Sequence, residues 1–137
     1  MDINRPSWDE IYMNFAITIS ERSVDPKYKI GAVAVSKDND RVLAIGYNGD
    51  YAGGPNKRES LETGKSGFIH AEENMLIKLN YSEPYKKVYL THSPCIYCAK
   101  KLINGKIDEL IYKEVYDQSS LDWLINNSNI KIRQYEK

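Results

Sequence analysis

The two ends of one stretch, His70-Ala71-Glu72 and Pro94-Cys95-Ile96-Tyr97-Cys98, bring together one of the chain's two histidines, a carboxylate and both of its cysteines. Cys95 and Cys98 are three residues apart, so if they open a helix their thiolates face one side and can grip one metal ion. His70 and Glu72 are two apart and would point away from each other along a continuing helix. They converge only where His70 stands before the first helical turn. This reading brings two helix N-termini, with their partial positive charge, to a single point. Two thiolates and one imidazole make three ligands, which leaves the fourth tetrahedral position of a zinc open, as in catalytic sites. Zinc can lower the pKa of a water held there from about 15.7 to about 7. Glu72 is then expected to carry that water's proton and not to ligate the metal.

Outward from this stretch the apolar pattern predicts the order α-β-β-α-β-α-β-α-β. Ser7-Trp8-Asp9-Glu10 has the form of a capping box, and Trp8, Ile11, Tyr12, Phe15 and Ile19 repeat at helical spacing toward Arg22, a stripe expected to be buried. Ile30 to Val35 and Val42 to Ile45 read as a hairpin across the polar turn Ser36 to Arg41. Their continuous apolar runs imply cover on both faces, hence helices on each side of the sheet. Tyr47 to Phe68 dissolves into Gly, Pro, Asn and charge, and a loop of that length is expected to be functional or mobile. A helix from Ala71 to Asn80, a strand from Lys87 to Thr91 and a helix from Cys95 to a C-cap at Gly105 follow. Leu110 to Tyr112 is the fourth strand, Leu121, Leu124 and Ile125 mark the last helix, and Ile130 to Ile132 the fifth strand. A helical crossover between the last two strands favours a parallel pair.

The 137 residues suit one domain, spanning 1–137, and nineteen Lys plus Arg against nineteen Asp plus Glu leave a formal net charge of zero. That balance favours a small substrate over a polyanion, and no nucleic-acid partner is expected. Lys86-Lys87 and Lys100-Lys101 are the compact basic pairs such a partner could use. No apolar run approaches the roughly 20 residues that span a bilayer, and Met1 to Pro6 lacks the apolar core of a signal peptide, so no membrane partner and a cytoplasmic location are expected. His92, three residues before Cys95, reads as a pocket-wall or hydrogen-bonding residue and not as a further ligand.

His70-Ala71-Glu72 followed by Pro94-Cys95-x-x-Cys98 is similar to the H-x-E…P-C-x-x-C signature of zinc nucleobase deaminases. The flanks narrow the likeness: Arg22-Ser23-x-Asp25-Pro26, Lys29-Ile30-Gly31-Ala32 and Gly46-Tyr47-Asn48-Gly49 resemble the deoxycytidylate (dCMP) deaminase branch, through to Tyr116-Asp117. The resemblance implies a three-layer α-β-α fold of cytidine-deaminase type, with a five-stranded mixed sheet. It also implies hydrolytic deamination of dCMP to dUMP and ammonia, with His70, Cys95 and Cys98 on zinc and Glu72 catalytic. By the same likeness Asn48 contacts the sugar, and the backbone around Ala71 and Ser93 holds the base edges. Ser23, Arg22 and Lys29 lie toward the phosphate, Tyr116 closes the pocket, and the enzyme is a homo-oligomer, dimer or hexamer. Members often carry a second, structural zinc between the G-Y-N-G and H-A-E motifs. That segment holds no Cys or His here, so one zinc per chain is expected. Another cytosine mononucleotide such as dCTP, or a base in tRNA or single-stranded nucleic acid, is the alternative substrate.

Overall fold

The computed structural model describes residues 4–136, so Met1 to Ile3, half of the Met1 to Pro6 segment, and Lys137 lie outside the described residues. The elements follow the expected order: α1 (Trp8–Ser20), β1 (Gly31–Val35), β2 (Val42–Tyr47), α2 (Ala71–Lys78), β3 (Lys87–His92), α3 (Ile96–Asn104), β4 (Glu109–Glu114), α4 (Gln118–Asn127) and β5 (Lys131–Gln134). They build one five-stranded mixed sheet of order β2-β1-β3-β4-β5. β1 pairs antiparallel with β2 and β3, and β3, β4 and β5 run parallel.

Side-chain alternation splits the core between the two faces of this sheet. Val33, Val35, Tyr89 and Ile111 meet Tyr12, Met13 and Ala16 of α1 on one face. Ala32, Ala34, Val88, Leu90 and Leu110 meet Met75 of α2, Leu102 of α3, and Leu121 and Leu124 of α4 on the other. The result is the three-layer α-β-α arrangement, with one helix on one side and three on the other.

Ser7 caps α1 as expected, its hydroxyl accepting from the Glu10 N–H at 3.1 Å. The helix is rotated from the expected phase, however. Trp8 and Ile11 are 52% and 39% exposed, while Tyr12, Met13, Ala16 and Ser20 are buried. Tyr12, Phe15 and Ile19 of the expected stripe do pack on the core, but the closest approach is through small residues: a Cβ on Gly31 would stand 2.0 Å from the Ala16 carbonyl oxygen, which turns Trp8 and Ile11 outward. β2 also departs from expectation. It is an edge strand with alternating burial, exposed at Val42, whereas β1 is buried throughout. Gly105 caps α3, but with φ −76°, and the left-handed residue is Lys106 at φ 59°. A Cβ on Gly105 would lie 2.9 Å from Leu76 Cδ2, so closeness to α2 accounts for the glycine.

Candidate metal centre

His70 is the N-cap of α2 and Cys95 the N-cap of α3, both in extended backbone conformation, with Cys98 buried on the first turn of α3. Glu73 Oε1 accepts from the His70 N–H at 2.9 Å, which closes the cap of α2 and fixes the backbone that carries the imidazole. The His70 Nδ1 then lies 3.2 Å from Cys98 Sγ and 3.6 Å from Cys95 Sγ. All three donor atoms lie within 4.8 Å of one another. Tetrahedral zinc with ordinary bond lengths would hold its nitrogen and sulfur ligands about 3.6 Å apart, so the donor set fits the metal in type and in spacing. Glu72 and His92 do not belong to this group.

The electrostatics suit a thiolate site. The hydrogen bond between the two cysteines, with further help from His70, pulls the Cys95 thiol down to about 4, while the same sharing pushes Cys98 up. The Cys95 sulfur in turn raises His70. Glu72 is 4% exposed. Burial pushes its carboxyl up to about 7, against its own backbone N–H and the His70 ring, which favour the charged form.

His70, Glu72 and Cys95 open onto a pocket whose wall includes Tyr28, Asn48, Ser93 and Tyr116. It lies beyond the carboxyl ends of the parallel strands β3 and β4, the usual ligand position in open α/β sheets. Tyr28 and Tyr116 meet edge-on with ring centroids 5.2 Å apart. Ser93 is buried, its N–H donating to the Glu114 carbonyl at 2.8 Å and its hydroxyl accepting from the Tyr116 N–H at 2.9 Å. Ala71 is buried at the start of α2, beside the ligand His70. His92 stands behind this wall, its ring edge-on to Tyr28 and its Nδ1 3.0 Å from Thr91 Oγ1.

The residues expected near a phosphate are not brought to this wall. Arg22 is exposed, with its guanidinium 6.0 Å from the Tyr47 ring centroid, and Lys29 is exposed. Ser23 is buried and accepts from the Asp25 N–H at 3.2 Å. Asp25 and Arg58 line the pocket instead. They form an ion pair at 2.8 Å in which the side chains are 3% and 4% exposed. No sequence pattern marks this pair, since thirty-three residues separate its members and no periodicity links them. The Asp25-Pro26 turn and a lone arginine in the long loop were the available signals.

This three-layer fold, with His, Cys and Cys converging at two helix N-termini, defines a metal-binding protein of the cytidine-deaminase-like class. Residues 6–114 match the family model described as the cytidine and deoxycytidylate deaminase zinc-binding region, and the chain belongs to that family. It is 31% identical over 145 aligned positions to the deoxycytidylate deaminase of Saccharomyces cerevisiae, covering 96% of this chain and 46% of the yeast protein. Against the human deoxycytidylate deaminase it is 29% identical, covering 93% of this chain and 79% of the human one. The dCMP deaminase of cyanophage S-TIM5, solved in complex with dCMP and dUMP, superposes with a TM-score of 0.81 at 28% identity, covering 97% of this chain and all of that one. The chain spans about half the length of the yeast relative.

Proposed function

We propose that the protein is a zinc-dependent deaminase of dCMP, built as one domain and converting dCMP and water to dUMP and ammonia. The observation that carries this reading is the buried Glu72 carboxyl beside the three-ligand set and outside it. His70 Nδ1, Cys95 and Cys98 would hold the zinc, which would supply a Lewis acid that activates water. Glu72, poised near pH 7 by burial, takes one proton from the attacking water and gives it to the ring nitrogen, then takes the second from the hydroxyl so formed on C4 and gives it to the departing amine, so that ammonia leaves as the carbonyl forms. The backbone around Ala71 and Ser93 meets the base edges, Asn48 the sugar, and Tyr116 closes the pocket. What supports these roles is that Asn48, Ser93 and Tyr116 line the same pocket as His70 and Glu72.

Charge placement favours a mononucleotide over a strand. Lys86 is 1% exposed, with its ammonium donating to the carbonyls of Tyr81 and Gly105. The ammonium of Lys87 is bound by Asn39, and that of Lys101 by Glu73. Lys86 and Lys87 are therefore spent inside the fold and not offered to phosphates along a chain, while Lys101 stays at the surface in its pair with Glu73. No helix of the described residues is long and apolar enough to cross a membrane. The free thiols of Cys95 and Cys98 suit the cytoplasm. Exposed Ile77 and Tyr97, on α2 and α3, support a homo-oligomer, dimer or hexamer, which light scattering on the purified protein tests.

The functional test is loss of cytosine absorbance with dCMP, dCTP, deoxycytidine and cytosine-containing oligonucleotides, with a Glu72→Ala control. Turnover of dCMP is the expected result. Turnover of the oligonucleotide alone would sink the reading.

A further inference from the structure

The donor set is divided between two helices, His70 at the start of α2 and the two cysteines at the start of α3. A site divided in this way is only as exact as the placement of one helix against the other. Each helix is fastened to the sheet on its own account. α2 buries Ala71 and Met75, and its Asn74 Nδ2 donates to the Tyr47 carbonyl at 2.9 Å. α3 buries Ala99 and Leu102 in the same core. The helices also meet each other directly. Away from the donors the contact is apolar, Leu76 of α2 lying against Gly105 at the end of α3. Nearer the donors it is polar, the Glu73 carboxylate receiving the Lys101 ammonium.

The two oxygens of Glu73 serve different helices. Oε1 accepts from the His70 N–H at 2.9 Å, and Oε2 accepts from Lys101 Nζ. Lys101 stands three residues beyond Cys98 and therefore on the same face of α3. One carboxylate thus spans from the backbone of the imidazole ligand to the helix of the thiolates. Among the described residues no other hydrogen bond or ion pair joins α2 to α3. The Glu73 and Lys101 side chains are 27% and 47% exposed, so replacing either opens no cavity in the core. Neither residue lines the pocket that His70 and Glu72 open onto, and neither belongs to the donor group.

We propose that Glu73, paired with Lys101, is a positioning residue for the metal centre: its carboxylate ties the first turn of α2 to α3, holds the three donors at metal-binding distance and slows the loss of the ion. Glu73 acts through the His70 backbone and Lys101 acts through Glu73. Without the tie each helix end is free to open separately, and the donors part. This role rests on the zinc reading given above and is independent of the substrate.

The test follows the release of zinc from the loaded protein to an excess of a chromogenic chelator, by absorbance and with no substrate present. Glu73→Ala should release zinc about tenfold faster than the intact protein, the lower end of what losing a supporting partner of a metal ligand costs when association is unchanged. Lys101→Met, which keeps the cap of α2 and removes only the tie to α3, should release it about threefold faster, as suits an ion pair near the surface. The double variant should be no faster than Glu73→Ala, because Lys101 acts only through Glu73. Lys101→Arg should restore the intact rate. Arg41→Met, which breaks the exposed pair with Glu83 at the start of β2, should leave the rate unchanged. If Glu73 is a helix cap and nothing more, Lys101→Met releases zinc at the intact rate, and that result overturns the proposal. So does a double variant whose acceleration is the product of the two single ones, since Lys101 would then act on its own. Should Glu73→Ala fail to fold, Lys101→Met and Lys101→Arg decide by themselves. Equal release from every variant overturns the tie and leaves the zinc reading standing, whereas an intact protein that takes up no zinc overturns both.

Discussion

Glu72 is a carboxyl buried against a site built for a cation, and its neighbours explain why it can be both neutral and charged near pH 7. Replacing it should separate metal binding from chemistry. Glu72→Gln is expected to keep about one zinc per chain by metal analysis while lowering kcat by roughly 10²- to 10⁴-fold. A loss of zinc in that variant would instead make Glu72 a ligand. Residues of this kind were legible in the sequence because His and Cys are scarce and their spacing has a geometric meaning. Asp25 and Arg58 were not, since each is a common residue whose role arises only when the loop folds back across the sheet edge.

Between elements, Asp9 of α1 bridges to the β5 edge of the sheet on the face that α1 covers. Its carboxylate accepts from the Tyr89 hydroxyl at 2.7 Å and from Arg133 Nη2 of β5 at 2.9 Å. The Arg133 bond holds the Asp9 carboxyl below its ordinary value of 3.8. A carboxyl lowered by folding stabilises the fold above its unfolded pKa and loses that contribution as the pH falls through the folded one. Asp9→Asn should therefore reduce the stability lost between neutral pH and pH 3 by about 1 kcal/mol, a modest figure because the Arg133 side chain is half exposed, and urea melts at the two pH values read it. Gly46 of β2 bears on the site more directly. A Cβ there would stand 2.4 Å from the Ala71 carbonyl oxygen and 2.5 Å from the Met75 nitrogen, so Gly46→Ala must push α2, and His70 with it, off the sheet. About 3 kcal/mol of stability should go, together with zinc affinity, as measured by thermal melting and competition with a chelator. The order of elements was legible from apolar runs and turns. The phase of α1 was not, because docking followed the small Ala16 and Gly31, and an apolar stripe does not reveal where backbones come closest.

For the whole molecule, the balanced charge and the internal use of Lys86 and Lys87 predict a simple salt response. Turnover of dCMP should change by no more than about twofold between 50 and 200 mM salt, whereas a protein relying on many phosphate contacts would lose about 10³-fold or more in affinity. The two core clusters close around the sheet without the side chains of His70, Cys95 or Cys98. Chelation should accordingly abolish activity and leave the far-ultraviolet circular dichroism unchanged, with a lower melting temperature because the metal no longer favours the native state.

Two of the three donors, His70 and Cys95, are helix caps, residues only half inside their helices. Terminal turns open far more readily than the core they are attached to. The path by which an ion leaves is therefore the fraying of two helix ends, a local event that needs no global unfolding. Exchange with isotopically distinct zinc should be fast compared with unfolding, so that the occupancy of this site follows the free metal around it within the lifetime of one folded molecule.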